Sequence, residues 1–201
     1  ISENINGNHL SLTIGGVRAY NQENLYSKKN YEKFKVFIGF KNMVCTNLCV
    51  SSDGFAEEIR ASSMEELKSK VLELLGAYEM QNHLNRLKTL ADYSLTEKEF
   101  AKFLGKCRMY NYLPRQEKLD VPKLLLNDGQ INTIAKGYYE DEHFSRQENG
   151  DINLWNVYNL LTGANKSSYI DTFLARSLNA NTLIQKLADS MKNDLPFWYL
   201  N

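Results

Sequence analysis

The chain has 201 residues, 43% of them hydrophobic and 24% charged, which is ordinary for a globular protein and long enough to bury a core without staples. Lys plus Arg and Asp plus Glu each number 24, so no overall field draws the chain to nucleic acid or to a membrane surface, and no apolar run reaches the ~18 residues that span a bilayer. No signal peptide is visible, and the three cysteines, Cys45, Cys49 and Cys107, form no CxxC pair. Buried free thiols in a reducing cytoplasm are therefore expected, rather than a disulfide framework or a metal centre.

Strand signals come first. In HLSLTIGGVRAY, Leu10, Leu12 and Ile14 alternate with Ser11 and Thr13 before Gly15-Gly16, which reads as a break or bulge. KFKVFIGFKNMVCTNLCV is the richest β stretch. Phe34, Val36, Ile38 and Phe40 fall on one face of a strand, and Lys33, Lys35, Phe37 and Gly39 on the other. A turn at Lys41-Asn42 would send residues 43–50 back as a hairpin partner, closed by SSDG at 51–54. Asn47, a polar residue inside VCTNLCV, reads as structural.

The period then becomes helical. Ser63 and Glu66 have capping-box spacing ahead of Met64, Leu67, Val71, Leu74, Leu75 and Tyr78. The pattern continues out of phase through Leu84, Leu87 and Ala91, as one long helix eased at Gly76. Ser94 with Glu97 predicts a second cap before Phe100, Phe103, Leu104 and Cys107, with a stop before Pro114. Asp128 caps a helix with Ile131, Ile134, Ala135 and Tyr138 as its apolar stripe. An NGD turn at 149–151 leads into a helix through Leu154, Val157, Tyr158 and Leu161. Ser168 and Asp171 are spaced as a further box for Ile170, Phe173, Leu174 and Ser177, and a last helix spans about 181–192. The fold class is α+β: an N-terminal antiparallel β-hairpin or sheet (8–55) followed by a larger helical part (62–195), in one domain over 1–201. A first residue of Ile1 rather than Met reads as a C-terminal fragment of a longer protein.

LTGANKSSYID, residues 161–171, resembles a phosphate-binding loop. That loop needs G-x-x-x-x-G-K-[ST] between a strand and a helix, yet the two glycine positions hold Leu160 and Asn165, and LWNVYNLL before it is helical. A helix–turn–helix corner accounts for the same residues, with Gly163 ending one helix at φ > 0 and Ser167 or Ser168 capping the next. A helix start beside Lys166 keeps a second reading open, an anion or nucleic-acid phosphate site.

No catalytic residues are nominated. His9, His83 and His143 are isolated, and there is no nucleophile elbow, dinucleotide turn or kinase set. Glu140, Asp141, Glu142 and His143 read as a solvated acidic loop rather than metal ligands, so no metal and no cofactor is expected. The nucleic-acid signal is local. Arg18, Lys28, Lys29, Lys33, Lys35 and Lys41 interleave with Tyr20, Tyr26, Tyr31, Phe34 and Phe37, pairing phosphate-neutralising cations with rings that stack on bases. The competing reading is a hairpin edge protected by lysines against strand pairing. KCRMYNYLPR at 106–115 is a second basic–aromatic run, part of it core. Trp155, Tyr158 and Asn159 read as core and corner. Trp198 reads as packing the C-terminus onto the body or meeting a partner.

NGNHLSLTIGGVRAYNQENLY, FKVFIGFKNMVCTNLCVSSDGF, CRMYNYLP and INLWNVYNLLTGANKSSYIDTF together resemble an uncharacterised domain-of-unknown-function family carried on mobile elements of gut bacteria. VCTN and LWNVYNLLTGA are also distantly similar to phage/plasmid-like proteins. The resemblance implies a setting, a cytoplasmic element-borne protein whose neighbours handle DNA, and no catalytic residues. The leading expectation is a non-enzymatic protein binding DNA or RNA with little sequence preference. Phosphates would meet Arg18, Lys28, Lys29, Lys33, Lys35 and Lys166, and bases would stack on Tyr26 and Tyr31. The alternatives are an assembly module that homo-oligomerises without nucleic acid, and an enzyme completed by an upstream segment. No membrane partner is expected.

Overall fold

The computed structural model describes residues 2–5, 7–18, 32–43, 48–50, 56–61, 63–124, 126–140, 146–168 and 170–201. The α+β class holds, with the sheet first and helices after it. Strands β1 (Ser2–Ile5), β2 (Asn8–Arg18), β3 (Glu32–Asn42), β4 (Leu48–Val50) and β5 (Ala56–Ala61) form one antiparallel sheet. β1 pairs β2 and β2 pairs β3, while β4 and β5 both lie along the far side of β3, opposite residues 39–41 and 32–37. The return from β3 is thus one strand in two pieces. The SSDG turn expected to close it falls at residues outside those described, and pairing resumes at Ala56. The β-rich part accordingly runs from Ser2 to Ala61, beyond 8–55 at both ends. At the β1–β2 connection Gly7 takes φ 80°, the left-handed conformation that favours glycine, and its N–H donates to Asn4 Oδ1 at 3.0 Å.

Two expectations for the sheet are corrected. Gly15-Gly16 is no break, because β2 stays in register with β3 through both, Gly15 opposite Phe37 and Gly16 opposite Val36. Asn42 is not a turn residue but the buried last residue of β3.

The helices are α1 (Met64–Ala77), α2 (Met80–Thr89), α3 (Glu97–Tyr110), α4 (Glu117–Asp120), α5 (Asp128–Glu140), α6 (Leu154–Ala164) and α7 (Ile170–Lys192). Ser63 caps α1 by accepting from the Glu66 N–H, as its spacing predicts. The long helix expected through Gly76 is two helices, parted at Tyr78 and Glu79 after Tyr78 turns to extended φ/ψ. α3 is capped by Thr96 and Glu99 in a full capping box, two residues beyond the expected Ser94. Ser94 and Leu95 instead form β6, which pairs with β7 (Ile152–Asn153). α5 begins with a reciprocal pair in which Asn127 Oδ1 accepts from Gln130 N–H and Gln130 Oε1 accepts from Asn127 N–H, so Asn127 rather than Asp128 is the cap. The two helices expected over 168–192 are one, α7, within which the buried Asn181 donates its amide to Tyr158 Oη at 3.3 Å.

Two apolar clusters lie on one side of the sheet. Val36, Ile38, Ile59 and Ala61 pack beneath Leu74 of α1, with Phe34, Leu67 and Val71 at the margin. The larger cluster joins Leu10 and Phe40 of the sheet to α2, α3, α5, α6, α7 and the C-terminal segment. Trp155 and Tyr158 are fully buried there, as core residues should be, and Phe197 and Tyr199 fold the tail back onto α3. Cys107 is a buried free thiol, and burial pushes its pKa well up. Among the described residues no helix is long and apolar enough to cross a membrane.

Candidate nucleic-acid interface

The alternation of β3 divides its residues between two faces. Phe34, Val36, Ile38, Phe40 and Asn42 belong to the side covered by helices. Positions 33, 35, 37, 39 and 41 belong to the outer side, where their register neighbours on β2 are Lys35↔Val17, Phe37↔Gly15, Gly39↔Thr13 and Lys41↔Ser11. Lys41 is exposed and Phe37 half-buried, and Phe37 joins neither apolar cluster. Its ring is nevertheless placed, because it lies over the bare backbone of Gly15, where an added Cβ would come within 2.2 Å of Phe37 Cζ. A residue without a Cβ thus makes room for a ring held flat against the sheet. Gly15→Ala is expected to push the ring off and destabilise the chain by about 1–2 kcal/mol, the crowding outweighing the entropy gained in the unfolded state. Urea denaturation measures this, and an unchanged midpoint would show that the ring shifts freely.

The structure places the expected site residues unequally. Arg18 ends β2, and Lys33 and Lys35 lie near the start of β3, so the three fall at one end of the sheet. Arg18 pairs in register with Phe34, between Lys33 and Lys35, and Lys33 lies opposite Arg60 of β5. β3 is paired on both sides, so Lys33 and Lys35 occupy a central strand and the protected-edge account does not apply to them. Tyr26, Lys28, Lys29 and Tyr31 lie outside the described residues, as does Asn47.

Lys166 is exposed, in the 3-10 turn Asn165–Ser167 that follows α6. Gly163 does not end that helix at positive φ. It lies inside α6, the chain turns two residues later, and only Gly7 and Gly150 among the described glycines have φ > 0. The corner is held by polar groups, since Ser168 Oγ accepts from Gln130 Nε2 at 2.9 Å and from Arg176 Nη1 at 2.7 Å. It belongs to the helical layer. Asn42, at the opposite end of β3 from Lys33, contacts α6 through Asn159, so Lys166 follows the helix that meets the far end of that strand.

The run at 106–115 is taken up in part by internal contacts, while Met109, Tyr112 and Arg115 are exposed. Tyr110 and Cys107 are buried, Lys106 Nζ lies 4.6 Å from the Trp198 ring, and Arg108 pairs with Asp128 at 2.7 Å while its guanidinium lies over Tyr112. Of the acidic loop, Glu140 is exposed and pairs with Lys136, while residues 141–145 lie outside the described residues. Among the described residues no cluster of His, Cys, Asp and Glu is arranged to hold a metal ion. Sequence reasoning named neither Arg176 nor the pairing of Arg108 with Asp128, because these residues come together only through the packing of α3, α5 and α7.

No curated protein and no solved structure matches the chain. A family model described as "Domain of unknown function, B. Theta Gene description (DUF3871)" matches residues 1–200, and the chain belongs to that family.

Proposed function

We propose that this protein is a non-enzymatic, cytoplasmic component of bacterial mobile elements that binds single-stranded DNA or RNA with little sequence preference, along the outer face of its sheet. The observation that carries this reading is the pattern on β3. Lys33, Lys35 and Lys41 share alternate positions with Phe37, whose half-buried ring is seated over Gly15 and belongs to neither apolar cluster. Cations at alternate positions of one strand, two residues apart at Lys33 and Lys35 and six further on at Lys41, suit a phosphate backbone, and a ring lying along a sheet suits a base, which has a π-face whatever its identity. The connection between β2 and β3 adds Tyr26, Lys28, Lys29 and Tyr31 to the same stretch of chain. The mobile-element setting rests on the resemblance of segments 6–26, 34–55, 107–114 and 152–173, and it would supply single-stranded substrates through DNA transfer.

Fluorescence anisotropy with a labelled thymidine 20-mer and a labelled 20-base-pair duplex, titrated across a series of salt concentrations, tests the reading. The single strand is expected to bind more tightly than the duplex, with log K falling linearly in log[salt]. Alanine at Lys33, Lys35 and Lys41 together should reduce that slope by about 2, at roughly 0.7 for each phosphate no longer neutralised. Phe37→Ala should weaken binding by about 1–3 kcal/mol, the value of one stacked base, without altering the slope. Absence of binding to either oligonucleotide at the lowest salt, or a slope that ignores the lysines, rejects the proposal.

A further inference from the structure

Two cavities meet at Arg108, on the helical side of the molecule. The first is a groove of about 320 Å³ between α3 and α5, where Ala101, Leu104 and Gly105 face Ile131, Ala135 and Tyr139. Small residues keep it open, and a Cβ added at Gly105 would meet nothing within 4 Å. The groove is bounded at Glu97, whose Oε1 accepts from the Tyr139 hydroxyl at 2.7 Å, and Arg146 lies 5.0 Å from the Tyr139 ring. Its volume lies at the lower end of the range of small-molecule sites.

The second cavity is a polar cleft of about 560 Å³ lined by Arg108, Asn111, Asn127, Asp128 and Arg176. Two guanidinium groups and one carboxylate line it. Arg108 spends its Nε on Asp128 at 2.7 Å, which leaves the terminal fork of that guanidinium unspent by the pair. Arg176 is oriented by Ser168, which accepts from its Nη1, and it makes no ion pair among the described residues. Its Nε is buried without an acceptor. The N–H groups of Asp128 and Gly129 begin α5, where no intrahelical acceptor exists. A half-buried guanidinium held in a fixed orientation, with no counter-ion among the described residues, is an arrangement that an anion completes.

We propose that the groove and the cleft form one binding site for a small amphiphilic monoanion, an apolar body with a single carboxylate-type head, the body lying between α3 and α5 and the head meeting Arg176 and Arg108. The charge balance selects this class. A neutral apolar molecule leaves the Arg176 guanidinium uncompensated, and inorganic phosphate leaves the apolar groove unfilled. This site is separate from the outer face of the sheet and does not rest on the nucleic-acid reading.

Isothermal titration of the protein with 4-phenylbutyrate, with 4-phenylbutan-1-ol as the neutral counterpart and with inorganic phosphate, tests the proposal. One 4-phenylbutyrate per chain should bind, at least tenfold more tightly than the alcohol and than phosphate. Arg176→Gln should weaken 4-phenylbutyrate at least tenfold. Gly105→Leu should abolish binding of both aryl compounds while the chain remains folded, because leucine enters open space and is the better helix former. Circular dichroism and thermal melting of both variants establish that folding. Equal affinity for acid and alcohol, binding of phosphate alone, or 4-phenylbutyrate affinity untouched by Gly105→Leu would each overturn the proposal.

Discussion

Replacing Tyr199 by Ala is expected to destabilise the protein by about 3–5 kcal/mol, the range for deleting a fully buried aromatic ring. The residue is third from the C-terminus, where chains usually fray, yet it has no exposed surface. Its ring packs against Phe103 at 5.6 Å, Tyr110 at 6.3 Å, Phe197 at 5.8 Å and the edge of Trp198 at 4.9 Å. Its hydroxyl donates to the Pro122 carbonyl at 2.7 Å, tying the tail to the segment before α5. For a chain of this size the loss corresponds to a fall in Tm of roughly 6–20 °C, at about 2–4 °C per kcal/mol. A loss below about 1 kcal/mol in urea denaturation would mean that the tail is not part of the core.

The phenol adds a pH test. Burial, first, and then the neighbouring Cys107 and Tyr110 push the Tyr199 pKa far above its ordinary value. A pKa raised in the folded state means that the neutral phenol is favoured there. The stabilisation is complete below the unfolded value of about 10 and is lost as the pH rises above it. Tyr199→Phe should therefore flatten the alkaline decline in stability, at a cost near neutral pH of about 1–2 kcal/mol from the broken hydrogen bond.

Much of the fold is legible in residues whose signals are local. The alternation of Phe34, Val36, Ile38 and Phe40 against Lys33, Lys35 and Phe37 marks the two faces of β3, and Phe100, Phe103, Leu104 and Cys107 mark the buried stripe of α3. The misplaced α3 cap shows where local signals run out. SLTEKE contains two overlapping boxes, Ser94 with Glu97 and Thr96 with Glu99, and nothing local chooses between them. The choice is made by Leu95, which is fully buried and pairs in β6 with Ile152, a residue distant in the chain. Gly163 misleads for a related reason, since a glycine near a helix end can be either a C′ residue or an interior one. Here the buried Ala164 carries the helix one residue further. The turn at Gly7 lies within local reach, because the Asn6-Gly7 pair is itself a hairpin dipeptide. The Arg108–Arg176 cleft lies beyond it, because its lining residues come from three separate helices.

The most instructive misreading is Asn42, whose residue type suggests a turn and whose position is the core. Its Nδ2 donates to Asn159 Oδ1 at 2.8 Å and to Asn8 Oδ1 at 3.0 Å, and Asn159 in turn donates to the Trp155 carbonyl at 2.9 Å. Three asparagines thus fasten the end of β3 to β2 and to α6, joining the sheet to the helical body across 117 residues of sequence. Removing one amide takes a buried hydrogen bond from the other. Asn42→Leu and Asn159→Leu are each expected to cost about 2–4 kcal/mol, combining the broken hydrogen bond with local crowding. The double variant should cost less than the sum by about 1–2 kcal/mol, because the second change removes an amide that the first has already deprived of this bond. Strict additivity would show that the amides act independently and are satisfied elsewhere. Hydrogen exchange distinguishes a local from a global effect. If the asparagines are the hinge pin of the sheet, the amides of β2 and β3 lose protection in Asn159→Leu before those of α6 and α7 do. Loosening β3 at Asn42 would then also loosen the strand that carries Lys33, Lys35 and Phe37, so Asn159→Leu should weaken oligonucleotide binding from a position that no nucleic acid touches.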